Sequence, residues 1–348
     1  MERKTFLRGA LAAAALPFSG CDKTGKRRIA VVPKGRAHLF WQSVHAGAVK
    51  AARETNVEIV WNGPATETDY NGQIQIVDAM INQRVNAICL APIDKKVMVS
   101  VVERAGKENI PVVIFDSGID TENYVSLVAT DNYAAGQLAA ARMAEILAGK
   151  GKVIVVAVQP GGASTMAREQ GFEDAIKKFP AIQIVDKRYG MADFAKSLQV
   201  AENMLSAFPD AAGLFASNES SAVGAAQALK GRKNTTVKMV GFDWSPTLLA
   251  DLREGRIDSL VAQDPFNMGF QSVMAAVNKL DAKPVVKNQP LPPRLITRAN
   301  IDSPEVKAQL EPDLKKYLWR PYVRYLKPPR HSPRRGDGHR PFRNCFSE

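Results

Sequence analysis

Short apolar runs alternate with longer amphipathic stretches along most of the chain, and this order of segments occurs twice. The first copy starts at Ile29 and the second at Val153. Short apolar runs bounded by Gly and Pro predict buried strands, and the stretches between them have helical periodicity. The predicted strands are IAVV, VEIVW, AICL and VVIF in the first copy, and VIVVAV, IQIV, GLFAS and KMVGF in the second. We therefore predict two similar βαβαβα units in tandem.

Equivalent positions in the two copies carry the same residue type where the fourth strand ends. The fourth run closes on Asp116 in the first copy and on Asp243 in the second. The first acid lies 85 positions after Val31, and the second lies 88 positions after Val155. Ligands of parallel α/β units bind at the carboxyl ends of the strands. The repeat therefore predicts two half-sites that face each other across a cleft.

The chain after Asp243 does not continue the repeat. LVAQDP predicts another strand, MGFQSVMAAVNKL predicts a helix, and PLPPRLITR predicts one last extended segment. These elements would return the chain to each unit in turn, with crossings near residues 130, 263 and 290 that form a hinge. We predict an α/β protein with two doubly wound parallel-sheet lobes. Their bounds are 29–130 plus 264–289 for the first lobe, and 131–263 plus 290–314 for the second.

Length and charge fit an ordinary two-domain protein. The chain has 348 residues, of which 45% are hydrophobic and 24% charged, and its formal charge is +12. Residues 1–20 carry +2 and residues 315–348 carry +8, which leaves +2 for the body of the chain. Nucleic-acid binding depends on clustered positive charge, so a nearly neutral body argues against nucleic acid as a partner.

The N-terminus predicts an export signal over residues 1–20. Three basic residues precede the apolar run ALAAAALPF, which is too short to span a bilayer, and small residues lead to Cys21. FSG followed by Cys21 resembles a lipoprotein cleavage box, so we expect lipidated Cys21 to tether the exported protein to a membrane, with residues 21–28 as a linker. ERKTFLR leaves twin-arginine export open beside the general pathway. A buried N-terminal helix is the alternative interpretation.

Cysteine usage predicts neither disulfides nor a metal site. The chain contains three cysteines, Cys21, Cys89 and Cys345, and the apolar surroundings of Cys89 indicate a buried hydrophobe. No spacing of Cys and His suggests zinc. We expect no metal and no cofactor.

Residues 315–348 have a different composition from the body of the chain. They are rich in Arg and Pro and show no sustained apolar periodicity. We predict a basic, disordered tail. A basic arm that contacts anionic lipid headgroups is the alternative.

Polar and aromatic side chains follow several predicted strands. Each has an ordinary alternative: a strand-end Asp or Asn often caps the next helix, an isolated Arg is often solvated, and aromatics usually pack in a core. Two acids at equivalent places in both copies favour a binding site. The candidates are Phe40, Trp41, Asp116, Arg168, Phe194, Asn218, Asp243, Trp244 and Gln263.

This set of side chains suits a polyol. A sugar has apolar C–H faces, which stack on aromatic rings, and hydroxyl groups that both donate and accept hydrogen bonds. Carboxylates accept from hydroxyls, Arg donates to them, and amides do both. Bonds with a charged partner are shorter and stronger than neutral ones. The sequence therefore favours a sugar-binding cleft over a catalytic site.

A series of motifs carries a resemblance to a known family. In chain order they are HLFWQSVHAGA, LAPID, VVIFDSG, VATDN, STMAREQGF, LFASNE, VGFD and VAQDP. Over about residues 26–314 the chain resembles the periplasmic sugar-binding proteins of ABC importers, in the ribose-binding, LacI-like type I group. The resemblance implies a monosaccharide held between two closing lobes and delivered to a membrane permease. We expect a monomer on the periplasmic or another extracytoplasmic side of the membrane.

The resemblance also assigns pocket positions. It implies that Phe40 and Trp41 stack on one face of the sugar, that Phe194 stacks on the other, and that the polar residues hold the hydroxyls. Ribose binders typically have Asn at the positions of His38 and Ala91, and Arg at that of Ser117, so the resemblance implies a polyol without specifying ribose. The implied pocket residues are His38, Phe40, Trp41, Ala91, Asp116, Ser117, Arg168, Phe194, Asn218, Phe242, Asp243 and Gln263.

Other function classes fit less well. The chain lacks GxGxxG, Walker A and GxSxG motifs, so we predict that it is not an enzyme. Asp116 and Asp243 as a glycosidase pair remain an alternative. A sugar-responsive transcription regulator of the related fold would need an N-terminal helix-turn-helix where this chain has an export signal. A receptor that feeds chemotaxis or sensing instead of uptake also stays open.

Overall fold

The computed structural model describes residues 25–233 and 236–318. The predicted signal peptide, Cys21 and the tail from residue 319 onward lie outside the described residues. The strands are β1 (Arg28–Val32), β2 (Glu58–Trp61), β3 (Ala87–Leu90), β4 (Val112–Phe115), β5 (Ser126–Thr130), β6 (Gly151–Ala157), β7 (Ile182–Tyr189), β8 (Ala211–Ala216), β9 (Lys238–Phe242), β10 (Ser259–Ala262), β11 (Asn288–Leu291) and β12 (Arg294–Thr297).

Helices follow nearly every strand. They are α1 (Leu39–Thr55), α2 (Tyr70–Asn82), α3 (Val99–Lys107), α4 (Asn132–Ile146), α5 (Ala163–Ile176), α6 (Phe194–Ala207), α7 (Glu219–Gly231), α8 (Pro246–Arg253), α9 (Pro265–Leu280), α10 (Pro304–Leu310) and α11 (Leu314–Leu318). None of the helices described is both long and apolar enough to cross a membrane.

The strands form two sheets of six. The order in the first sheet is β11-β5-β4-β3-β1-β2, and the order in the second is β12-β10-β9-β8-β6-β7. The two orders are equivalent strand by strand, with β11 and β12 at corresponding edges of their sheets. The predicted duplicated α/β architecture is confirmed.

Each sheet is covered by helices on both faces. In the first lobe, α1 and α9 bury one face of the sheet and α2 and α3 bury the other. In the second lobe, α4 and α5 cover one face, and α6, α7, α8 and α10 cover the other. The strands contact helices on both sides, so their residues are apolar without alternation, as expected for parallel sheets.

The chain passes between the two sheets at three neighbouring places. It leaves the first sheet at the end of β5, returns after β10, and leaves again between Leu291 and Arg294. Thr130 Oγ1 donates to Gln263 Oε1 at 2.7 Å and so links the first two crossings. The three crossings are adjacent segments that connect two separate cores, and together they form a hinge.

The last extended segment differs from the prediction. PLPPRLITR was predicted as one element, but β11 pairs in parallel with β5 of the first sheet, and β12 pairs antiparallel with β10 of the second. The second sheet is therefore not wholly parallel. The chain passes from β11 into the second lobe without a crossover helix. It therefore enters the second sheet at the carboxyl ends of the other strands, and β12 runs in the opposite direction to β10.

Two predicted boundaries also differ. The linker was predicted to reach residue 28, but Arg28 pairs with Glu58 in β1, and its N–H donates to Asn86 Oδ1 at 2.7 Å. The disordered tail was predicted from residue 315, but Leu314–Leu318 form α11.

Contacts with the first lobe explain α11. Arg53 donates to the carbonyl oxygens of Lys316 and Tyr317, both at 3.0 Å, and the Tyr317 ring packs on Phe266 at 5.5 Å. A cation that binds the last carbonyls stabilises a helix end. A single helical turn is too short to show apolar periodicity, so α11 could not be predicted from the sequence pattern.

Candidate functional site

The carboxyl ends of both sheets face each other across a narrow cleft. Side chains from both lobes converge there, and most of them are buried. The lining residues are Lys34, His38, Phe40, Trp41, Glu67, Asp116, Ser164, Thr165, Arg168, Asn218, Glu219, Asp243 and Gln263.

The two aspartates that end equivalent strands have the same unusual backbone. Asp116 has φ of 62° and Asp243 has φ of 64°, both in the left-handed region, where Asp and Asn are more common than other residues. The N–H groups of both residues donate at 2.9 Å to the next strand of their own sheet, at Val128 and Val261. Neither residue is the N-cap of a helix that follows it, because the cap of α8 is Ser245 and no helix starts directly after Asp116. The two copies therefore present equivalent carboxylates to the cleft.

Asp116 is held by a lysine that the sequence analysis did not single out. Lys34 Nζ lies 2.7 Å from Asp116 Oδ2, and both side chains are only 5% exposed. Lys34 also donates to Ser164 Oγ of the other lobe at 2.9 Å. Apart from this ion pair, Asp116 Oδ2 is buried and accepts no hydrogen bond from the described residues. This oxygen can therefore accept a hydrogen bond from a ligand.

Asp243 is tied to the hinge and to the second lobe. Its Oδ1 accepts from Gln263 Nε2 at 2.8 Å, and its Oδ2 accepts from the N–H of Glu219 at 3.0 Å. Burial raises the pKa of Asp243, while the positive charge of Arg168 acts in the opposite direction. Because Gln263 also accepts from Thr130, the carboxylate is linked to two crossings of the hinge.

Arg168 is buried and rigidly held. Its guanidinium donates from Nε and Nη2 to Asn132 Oδ1 at 3.2 and 2.7 Å, and from Nη1 to the carbonyl of Ser217. The same group lies 3.5 Å from the centre of the Phe242 ring. The alternative of a solvated surface arginine is wrong, because the side chain is 2% exposed. Burial lowers its pKa, although nearby carboxylates oppose this.

His38 and Glu67 form the polar part of the first lobe's wall. Their side chains meet at 2.7 Å, and Trp41 Nε1 donates to the same Glu67 oxygen at 2.8 Å. Burial lowers the pKa of His38, but the Glu67 carboxylate outweighs it and raises the pKa to about 9. His38 is therefore positively charged at neutral pH, and its Nε2 contacts the carbonyl of Ala192 in the other lobe at 3.2 Å.

Glu219 joins the two lobes at the edge of the cleft. The residue belongs to α7 of the second lobe, and its carboxylate accepts from the N–H groups of Leu39 at 3.2 Å and Phe40 at 3.1 Å. Burial raises the pKa of Glu219 to about 7, in spite of the positive charge on His38.

Asn218 has both of the roles considered for it. Its Oδ1 caps α7 by accepting from the N–H of Ser221 at 2.9 Å, and the residue also lines the cleft. The cap occupies the amide oxygen, so the amide nitrogen is the end that can donate to a ligand.

Eight candidates line the cleft directly, and the others lie behind it or beside it. Ser117 accepts from the N–H of Ser164 at 3.0 Å, and the carbonyl of Ala91 accepts from Gln73. The Phe242 ring packs against the guanidinium of Arg168. Phe194 packs edge-on against His38 at 5.1 Å and lines an adjoining groove. Trp244, the remaining aromatic candidate, packs against the core of the second lobe.

The sequence analysis missed five lining residues. Lys34 lies in the Gly loop after β1, and Glu219 follows Asn218, so both were close to recognised motifs. Glu67 lies in a loop with no apolar pattern, and only the folded chain brings it to His38. The missed residues are Lys34, Glu67, Ser164, Thr165 and Glu219. Within the described ranges, no cluster of His, Cys, Asp or Glu is suited to a metal ion.

Comparisons with known proteins agree with this geometry. Residues 29–284 match the family model described as "Periplasmic binding protein domain". The ribose import binding protein of Bacillus subtilis is 30% identical over 259 residues, which covers 74% of this chain and 83% of the relative.

Two solved structures share the fold over most of the chain. One is an ABC transporter solute binding protein from Agrobacterium vitis with bound D-fucose, with a TM-score of 0.79, 34% identity, and coverage of 81% of this chain and 99% of its own. The other is a carbohydrate transporter solute binding protein from Agrobacterium radiobacter in complex with D-arabinose, with a TM-score of 0.80, 32% identity, and coverage of 82% and 99%. The duplicated sheets, the cleft between their facing edges and these matches show that the chain belongs to the periplasmic binding protein domain family.

Proposed function

We propose that this protein is an exported binding protein that captures a monosaccharide or related polyol between its lobes and delivers it to the permease of an ABC importer. It is not an enzyme in this proposal. The observation that carries the proposal is the convergence of buried donors and acceptors from both lobes on one cleft, among them Asp116, Arg168 and Asp243. Asp116 Oδ2 is ion-paired with Lys34 but accepts no hydrogen bond from the described residues, and a carboxylate oxygen with a free lone pair can accept from a ligand hydroxyl.

The charges of the cleft favour a neutral ligand. Lys34, His38 and Arg168 provide three cations, and they are opposed by the carboxylates of Asp116, Glu67 and Asp243, while burial raises the pKa of the fourth lining carboxylate, Glu219, to about 7. A strongly charged ligand would upset this balance in a buried site, where unpaired charge is costly. Hydroxyl groups can satisfy these donors and acceptors without adding charge.

Capture would proceed by closure of the hinge. The ligand contacts residues of both lobes only in the closed form, so its higher affinity for that form shifts the population toward closure. The names of the B. subtilis relative and of the two solved structures refer to import or transport, which favours uptake over a signalling role for this chain. We further propose that the protein acts as a monomer in the periplasm.

A thermal-shift screen of the full chain tests the proposed ligand class. The panel contains pentoses, hexoses, ketoses, sugar alcohols and myo-inositol. A ligand at a hundred times its Kd stabilises by about 2.7 kcal/mol, so a true ligand should raise the Tm of a protein of this size by about 4 °C.

Substitutions in the cleft show whether the shift comes from this site. Asp116→Asn and Asp243→Asn are suitable because Asn tolerates the left-handed backbone of both positions. We expect both variants to melt cooperatively and to lose most of the shift. The matched control is Asp210→Asn, which removes an exposed ion pair with Lys152 and should keep the full shift. If no sugar shifts the Tm, or if both cleft variants respond like the control, the proposal is wrong.

We also propose that Cys21 carries a lipid that anchors the mature protein to a membrane. The support is the sequence around Cys21, which lies outside the described residues. Cys21→Ser should move the protein from the membrane fraction to the soluble fraction of cells, and an unchanged distribution would refute the anchor.

A further inference from the structure

The start of α1 lacks the side-chain cap that most other helices of the protein have. Seven helices have an Asp, Asn or Ser at the N-cap whose side chain accepts from a backbone N–H. The N-cap of α1 is His38, whose side chain makes no such hydrogen bond. Its imidazole is directed instead to Glu67 and Ala192. The first N–H groups of α1 therefore need another acceptor.

The acceptor comes from the opposite lobe. Both carboxylate oxygens of Glu219 are used, one for the N–H of Leu39 and one for the N–H of Phe40. Glu219 is only 4% exposed. A carboxylate at a helix N-terminus is favoured both by the hydrogen bonds and by the helix dipole.

This contact exists only when the lobes are together. Leu39 and Phe40 belong to the first lobe and Glu219 to the second, so opening the hinge separates donors from acceptor. We propose that Glu219 is an interlobe latch that caps α1 and so stabilises the closed form even without a ligand. The latch rests on the structure of the cleft, and it gives the proposed sugar-binding function a means of holding the ligand.

The latch is coupled directly to the ligand site. The N–H of Glu219 donates to Asp243 Oδ2 at 3.0 Å, and Phe40, whose N–H Glu219 accepts, lines the cleft. A ligand that orders Asp243 and Phe40 therefore also orders both sides of the latch. Burial of the Glu219 charge is costly and opposes the hydrogen bonds, so the latch is weak enough to reopen.

The test measures the distance between the lobes in ligand-free protein. Spin labels are placed at Lys96 and Gln170, one exposed position in each lobe. Cys21 and Cys345 are replaced by Ser, and Cys89 is buried and stays. Because burial raises the pKa of Glu219 to about 7, pulsed electron resonance is carried out on samples prepared at pH 8.5, where the carboxylate is ionised.

Two substitutions weaken the latch from opposite sides. Glu219→Ala removes the acceptor. Leu39→Pro removes one donor, and it fits the backbone because Pro is favoured at the first helical position and His38 is extended, with φ of −86° and ψ of 148°. The matched control is Glu202→Ala, an exposed glutamate on α6 of the second lobe.

We expect wild-type protein and Glu202→Ala to show a population at the closed distance, and both latch variants to shift toward longer distances. The proposal is overturned if wild-type protein has no closed population without ligand, or if both variants keep the wild-type distribution. Leu39→Pro leaves Glu219 in place, so the proposal can still be tested if Glu219→Ala does not fold.

A kinetic measurement with any sugar found in the screen gives a second readout. Both latch variants should release it about tenfold faster, with little change in association rate, because closure follows encounter. The distance measurement uses no sugar. The distance measurement can therefore test the latch even if no sugar binds. The thermal-shift screen can likewise test sugar binding even if the latch variants behave like wild-type protein.

Discussion

At the scale of single residues, polar side chains in the cleft have more partners within the protein than their positions in the sequence suggested. Asp116 and Asp243 were expected either to cap the next helix or to bind a ligand, and the first role is excluded because Ser245 caps α8 and no helix starts directly after Asp116. Asn218 caps α7 and lines the cleft at the same time. Their contact with a ligand stays a prediction.

The charge of His38 makes stability depend on pH in the alkaline range. Its pKa is about 9 in the folded protein and about 6.5 when unfolded. Because the folded pKa is the higher one, the contribution is fully present below about pH 6.5 and is lost as the pH rises through 9. We expect the pair with Glu67 to contribute up to about 3 kcal/mol at the acid end of this window.

Urea denaturation of His38→Gln and wild-type protein between pH 6.5 and 9.5 checks this expectation. The difference in unfolding free energy between the two should shrink as the pH rises. His45→Gln is the control, because burial lowers the pKa of His45 to about 4 and leaves it neutral throughout this range. A difference that stays constant with pH would contradict a charged His38.

At the scale of elements, glycines allow pairs of helices to touch at their backbones in both lobes. A methyl group at Gly47 of α1 would clash with the carbonyl of Phe266 at the start of α9, and one at Gly269 of α9 would clash with that of Val44. Gly136 of α4 and Gly171 of α5 make the same reciprocal contact in the second lobe. Backbone carbonyls cannot move aside as flexible side chains do, so these positions need glycine.

We predict that Gly136→Ala destabilises the protein by about 3 kcal/mol and also weakens ligand binding, because its new methyl group would push on the carbonyl of Arg168. Gly231, at the end of α7, has nothing within 4 Å of an added methyl group. Gly231→Ala should therefore change stability by less than about 0.5 kcal/mol. Denaturant unfolding measures both values, and equal effects of the two substitutions would refute the close approach of α4 and α5.

At the scale of the whole molecule, the end of the chain contacts both lobes. Val306 and Leu310 of α10 are buried in the core of the second lobe, while α11 packs on α1 and Phe266 of the first. The described part of the chain therefore crosses once more between the lobes after the hinge, between Leu310 and Leu314.

Two truncations separate α11 from the residues that follow it. Removal of residues 319–348 should leave Tm and ligand affinity unchanged if, as the sequence predicts, they form a disordered basic tail. Removal of residues 314–348 should lower the Tm by about 2 to 4 °C, since the contacts of Arg53 and Phe266 are then lost. A loss of ligand affinity with the shorter truncation would favour a role of the basic segment in the cleft.

The duplicated α/β architecture and the two strand-end aspartates could be predicted from the amino-acid sequence alone. The hydrophobic periodicity of a helix or strand is a local property of the sequence. Buried parallel strands such as AICL appear in it as continuous apolar runs. The order of the motifs was also sufficient to identify the family.

The polar groups that meet in the cleft could be identified only from the folded chain. Glu67 reaches His38, Lys34 reaches Asp116, and Glu219 reaches the start of α1 from the other lobe. The separation of β11 from β12 and the helix α11 depend likewise on partners far away in the sequence. Hydrogen bonds and ion pairs between distant segments leave no periodic trace along the chain, because they require only one residue at each end and the fold to bring the two together.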